Sequence, residues 1–97
     1  MQTETDKTLE ALSKEFSLSK EIILKKSLKF FLEKKLREVK TDIFMITGKY
    51  KISSIEDFDE LYKRGEVEEK DSWIDFQNLD HLEFKRDGII ELIQELE

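Results

Sequence analysis

Residues 19–48 read SKEIILKKSLKFFLEKKLREVKTDIFMITG. Leu24, Leu28, Phe31, Leu32, Leu36, Val39, Ile43 and Ile46 trace a continuous apolar stripe through this stretch. From Leu32 onward the stripe residues are spaced alternately four and three apart, the heptad spacing of a packed helical seam. Ser19 suits the N-cap, because its hydroxyl can accept from an otherwise unpaired backbone N–H. Gly48 is the expected stop, since glycine enters the left-handed conformation without steric cost. The spacing predicts one long amphipathic helix of about 40 Å at 1.5 Å per residue. Ile22, Ile23 and Phe30 lie off the stripe and widen the apolar surface.

Upstream, Leu9, Leu12 and Phe16 share one face and predict a short helix from about Thr5 to Phe16, after a frayed start at Met1–Lys7. Downstream, Ser53 and Glu56 have capping-box spacing, so a third helix is expected from Ser53 or Ser54 to Gly65, with Ile55, Phe58, Leu61 and Tyr62 on its apolar face. Glu66 to Asp71 is expected as a loop, with Ser72 capping a fourth helix. Trp73, Phe76, Leu79, Leu82, Ile89, Ile93 and Leu96 line one face of that helix, interrupted by Arg86 and by a possible kink at Asp87-Gly88. The expected fold class is all-α: a helix-loop-helix unit, a long helix, then C-terminal amphipathic helices.

The chain has 97 residues, enough for one modest core. Charged residues make up 41 % and hydrophobic residues 38 %, with seven Phe and one Trp, too apolar for a disordered chain. The absence of proline and the presence of three glycines argue against a turn-rich β-sandwich. With no cysteine there is no disulfide scaffold, thiolate zinc site or cysteine nucleophile. No apolar run approaches the roughly 18 residues of a membrane span, and a signal-peptide core is missing, so a soluble, cytoplasmic chain without membrane contact is expected.

Charge is segregated. Residues 17–51 carry +6, residues 66–97 carry −8, and the whole chain −6. A basic middle and an acidic tail imply two kinds of partner, or one segment folding on the other.

Catalytic constellations are not found in the sequence. His81 stands alone between Asp80 and Glu83. Glu91 and Glu95 are four apart, as carboxylate ligands often are, without a Glu-x-x-His partner pattern. Three scattered glycines build no phosphate loop, and Ser27, Ser53, Ser54 and Ser72 lack a histidine in triad context. The expectation is a non-enzymatic protein with no cofactor and no metal.

Two stretches carry a family resemblance. SKEIILKKSLKFFL (residues 19–32) resembles the second-helix pattern S-K-S-E-L-I-R-E-A-L-R-E-Y-L of ribbon-helix-helix proteins, dimeric DNA-binding modules common among antitoxins. Ser19 takes the cap place, Ile23, Leu24, Leu28, Phe31 and Leu32 the apolar places, and Lys25 and Lys29 basic ones. Ile22 departs from the usual acid, Ser17 replaces the turn glycine, and Ser27 stands for the small alanine. KYKISSIEDFDELYKRGEVEEKDSWIDFQNLDHLEF (residues 49–84) resembles the C-terminal region of small archaeal antitoxin-like proteins, where a KYG-I-s-s-eef-ely-k-Ge element precedes an acidic aromatic helix.

The resemblance implies a bipartite antitoxin. Residues 1–47 would dimerise, with DNA as a candidate ligand, and residues 48–97 would cover a toxin. The apolar faces are too extensive for a short first helix to hide, so a homodimer through Leu24, Leu28, Phe31, Leu32, Leu36, Val39 and Ile43 is expected; a monomeric four-helix fold is the alternative. Phe58, Leu61, Trp73, Ile74, Phe76, Leu79 and Leu82 are the expected surface for a basic protein partner, a toxin by resemblance. Lys20, Lys25, Lys26 and Lys29 are the candidate phosphate contacts. Residues 2–7 lack the inward-facing apolar residues of a DNA-reading ribbon and place Glu4 and Asp6 where phosphates would repel them. The remaining alternatives are a ribbon-helix-helix regulator and a structural homodimer without a toxin.

Overall fold

The computed structural model describes residues 2–97. Four helices follow one another: α1 Glu4–Phe16, α2 Lys20–Tyr50, α3 Ile55–Lys63 and α4 Glu69–Leu96. Among the described residues there is no strand, and none of the helices is long and apolar enough to cross a membrane. The molecule is elongated, 62 × 24 × 19 Å.

Local chemistry sets the boundaries. Thr3 and Asp6 form a reciprocal capping box, so α1 starts at Glu4, in the segment where a ribbon strand would lie. Ser17 ends α1 in the left-handed region at φ 54°. Ser19 caps α2 by accepting from the Ile22 N–H at 3.1 Å. The helix then runs unbroken through Lys40-Thr41-Asp42, where the Thr41 hydroxyl donates to the Arg37 carbonyl. It also passes straight through Gly48. The stop is Lys51, at φ 56°, with the Ile52 N–H donating to the Thr47 carbonyl. Glycine is permitted at a stop but does not impose one when the following turn buries Tyr50 and Ile52 against the core.

Ser54, rather than Ser53, caps α3, and the Ile55 N–H is satisfied by Glu83 Oε2 of α4 at 2.9 Å. Gly65 adopts φ +69° and turns the chain toward α4. That helix starts four residues earlier than expected, after Glu68 instead of Ser72, with no side-chain cap. Ser72 is therefore inside it and buried. α4 continues without a break through Asp87-Gly88.

α2 and α4 lie side by side and antiparallel. Lys29, near the start of α2, pairs with Glu97 at the end of α4, while Lys49 pairs with Asp75 near the start of α4. Val39 and Ile43 of α2, Phe58 of α3, and Leu79 and Ile89 of α4 form the buried core, with Leu32, Leu36, Ile46 and Phe76 packed against it. One core thus joins residues on both sides of position 48. The heptad seam from Leu32 to Ile46 is covered by α4 of the same chain, not by a second copy. The basic middle and the acidic tail are the two halves of this hairpin. α1 packs on the start of α2.

Candidate functional site

The structure sorts the expected site residues into two groups. Phe58 and Leu79 are fully enclosed and Leu61 is buried; Phe76 and Leu82 are half-buried against the core. In this fold these five serve the chain's own packing, because α3 folds onto α4 and closes their face. Trp73 and Ile74 remain open, at 46 % and 71 % exposure. Leu32, Leu36, Val39 and Ile43 go to the core, whereas Leu24, Leu28 and Phe31 stay about half open.

Trp73 is held rather than loose. Its ring stacks on Phe76 at 6.2 Å between centroids and 8° between planes. Phe76 in turn meets Phe58 edge-on at 5.4 Å and Tyr62 at 5.5 Å. Tyr50 closes the cluster at 4.5 Å from Phe58. A half-exposed indole is thereby backed by four rings, of which Phe58 is enclosed in the core. Such pairs contribute about 0.5–1.5 kcal/mol each beyond area burial.

Polar groups lock the same end of the hairpin. Asp75 Oδ2 accepts from the Tyr50 hydroxyl at 2.6 Å and from Lys49 Nζ at 2.9 Å. Tyr50 and Lys49 together hold the Asp75 carboxyl below its ordinary range, against its partial burial. Lys49 is raised, first by its hydrogen bond to Asp75. Burial, then the Asp75 contact, push the Tyr50 hydroxyl up, so it stays a donor at neutral pH. The trio is a clamp between helix ends. Tyr62 and Ser72 share a second link at 2.7 Å. The Ser72 proton goes to the Glu68 carbonyl at 2.8 Å, which makes Tyr62 the donor in that link.

The outer face of α4 carries a stripe that the sequence reading left out. Starting at Trp73 and stepping four and three, it passes Gln77, Asp80, Phe84, Asp87 and Glu91. Phe84 is 80 % exposed. Its position eleven residues after Trp73 was the available signal, hidden because Phe84 lies off the core-facing stripe. The result is an aromatic pair interleaved with carboxylates. Phe44 and Met45 of α2 are likewise exposed and were not singled out.

The four candidate phosphate-binding lysines sit beside acids. Lys20 pairs with Glu10 at 3.3 Å and Lys29 with Glu97 at 3.1 Å. Lys25, Lys26 and Lys29 line a hollow with Leu96 and Glu97, at the C-terminal end of α4. Cations there offset the negative end of the α4 dipole. Among the described residues, His, Asp and Glu side chains form no group of three able to hold a metal ion.

A family model described as "Uncharacterized protein MJ0235 family" matches residues 1–97. No curated protein and no solved structure matches the chain.

Proposed function

For this chain, which belongs to the MJ0235 family over residues 1–97, we propose a non-enzymatic, antitoxin-like role: binding and covering a basic protein partner with the outer face of α4. The observation that carries this reading is Trp73, a half-exposed indole stacked parallel to half-buried Phe76, which packs on the enclosed Phe58 ring. A rigid aromatic anchor loses little conformational entropy on docking, which is why Trp and Tyr dominate interface hot spots. Phe84 supplies a second anchor three turns away. Asp80, Asp87 and Glu91 rim the two with negative charge, which speeds encounter with a basic surface and rejects acidic ones. Ile74 extends the apolar contact on the neighbouring face.

The test is a titration against the small basic protein that co-purifies with the full-length chain from its native host. Trp73→Ala is expected to weaken that complex by about 2–4 kcal/mol, and Phe84→Ala by a lesser amount. Recovery of no small basic protein, or an unchanged dissociation constant for Trp73→Ala, overturns the reading.

A further inference from the structure

We infer that copies of this chain associate head to tail, the basic outer face of α2 on one copy docking on the acidic outer face of α4 on the next. On α2, Phe30, Lys34, Arg37, Thr41 and Phe44 are spaced four and three apart and are all exposed. At about 100° per residue they lie opposite Leu36, Val39 and Ile43, and so face away from α4. The α4 stripe from Trp73 through Asp80, Phe84, Asp87 and Glu91 keeps the same spacing, is equally exposed, and lies opposite Leu79, Leu82 and Ile89. The hairpin thus has two opposite faces of matched period and unlike charge. Among the described residues, Lys34, Arg37, Asp80 and Glu91 form no ion pair in their own chain, and Asp87 is held only by its neighbour Arg86 at 3.0 Å. Phe44 is 73 % and Phe84 80 % exposed, and neither ring lies against another.

Charge selects the second copy and sets how it lies. Two α2 faces would gather Lys34 and Arg37 with their own kind, and two α4 faces would gather carboxylates; only α2 on α4 opposes unlike charges. The hairpin supplies the register. Within one chain Lys49 is level with Asp75 and Lys29 with Glu97. A neighbour set alongside without rotation, two helix spacings or roughly 16–20 Å away, repeats that antiparallel register between its α4 and the first copy's α2. Lys34 then falls level with Glu91, Arg37 with Asp87, Thr41 with Phe84, and Phe44 with Asp80. Phe84 enters between Thr41 and Phe44, so two open rings meet next to two charge pairs. A slip of one heptad in either direction keeps at most one of those pairs. At one edge Glu38, already paired with its own Lys35 at 3.2 Å, comes level with Lys85. At the other, Glu33 lies one heptad from both Lys26 and Lys40, so that edge stays cationic. α1 does not obstruct the contact, because it lies against Ile23, Leu24 and Ser27, before the turn of α2 that is level with Glu97. The two faces lie on opposite sides of the chain, so the contact is heterologous and continues into a row instead of closing. This goes beyond the partner reading. It shares Phe84 and Asp87 with that face, but Trp73 is level with Ile52, past the end of α2, and stays outside the row.

Sedimentation of the purified full chain from about 10 µM to 1 mM, the range of a weak contact, tests this. Wild type is expected to grow beyond a dimer as concentration rises. Arg37→Glu disables the α2 face and Asp87→Arg the α4 face, so each variant alone is expected to lose association by at least about tenfold. Mixed together, they are expected to form a 1:1 complex that grows no further, since one keeps an intact α4 face and the other an intact α2 face. The chain carrying both substitutions is expected to recover association, because its charges are exchanged rather than lost. Lys34→Glu and Glu91→Lys repeat the design at the second pair. All four positions are exposed, and unchanged helicity and melting temperature exclude unfolding as the cause. A wild type that stays monomeric, a dimer that grows no further, or a mixture of the two variants no larger than either alone overturns the inference. None of these results bears on the Trp73→Ala titration, which reads a different protein bound at a residue outside the row.

Discussion

The Tyr50 hydroxyl donates to Asp75 Oδ2 at 2.6 Å, tying the last residue of α2 to the opening turns of α4. The bond lies directly beside the Tyr50–Phe58 ring contact. With the Lys49–Asp75 and Lys29–Glu97 pairs and the apolar core between them, it belongs to the register in which the hairpin closes.

Asp75 should make stability depend on pH. Its folded carboxyl titrates below the ordinary range because Tyr50 and Lys49 stabilise the anion. Its contribution is therefore present above the unfolded value, about pH 4, and is lost as pH falls through the lowered folded value. Asp75→Asn should cost about 1–2 kcal/mol at pH 7 and flatten the acid limb. Thermal melts between pH 2 and 7, spanning the carboxylate range of about 3–5, read both. An acid limb identical to wild type would remove Asp75 from this role.

Gly48 and Gly88 lie inside helices, and a Cβ at either meets no atom within 4 Å. Neither has the positive φ that Gly65 requires. Gly48→Ala and Gly88→Ala should each stabilise the fold by up to about 1 kcal/mol, through helix propensity and a less free unfolded chain. Gly65→Ala should destabilise, because φ +69° strains any L side chain. Denaturant midpoints distinguish these signs, and a loss at Gly88 would mean that α4 needs to bend there.

Phe58 and Trp73 belong to one aromatic cluster but should separate in their effects. Phe58 is completely enclosed, so Phe58→Ala should cost about 3–5 kcal/mol. Trp73 is half open and stacks on one ring, so Trp73→Ala should cost little more than that contact, about 1 kcal/mol. Chemical denaturation of both variants checks the split. Comparable losses would mean that Trp73 is a core residue and unsuited to anchor a partner.

These placements explain what the sequence could and could not tell. Helix identity was legible, because Leu32 to Ile46 repeat four and three apart and Phe76 to Ile93 keep one face despite Arg86. Ser19 was legible as a cap because it directly precedes the apolar-periodic run, and its hydroxyl accepts from the Ile22 N–H. Periodicity shows which face is apolar but not what covers it. Val39 and Ile43 were therefore expected in a dimer seam, and they lie on the inner face of a hairpin. The opposed charges of residues 17–51 and 66–97 held the hint that one folds on the other. Ser72 misled for a different reason. A serine before an aromatic run has the signature of a cap, and only the position of Tyr62 across the turn gives its hydroxyl a buried role. Phe84 was invisible because a side chain on the outer face breaks no pattern.

The Tyr62–Ser72 link carries a direction that can be tested. Ser72 gives its only proton to the Glu68 carbonyl and accepts from Tyr62. Removing Tyr62's hydroxyl leaves Ser72 with its donor bond intact, and the remaining lone pair costs little. Removing Ser72's hydroxyl strands the half-buried Tyr62 donor, while the Glu68 carbonyl keeps its bond from the Asp71 N–H at 3.2 Å. Ser72→Ala should therefore cost about 1–3 kcal/mol and Tyr62→Phe about 1 kcal/mol or less, with the double variant close to Ser72→Ala or milder, since no stranded donor is left. A double-mutant cycle in denaturant measures the asymmetry. Equal single losses that simply add would show that the two hydroxyls act independently and that the α3–α4 turn is held by Gly65 and the aromatic contacts alone.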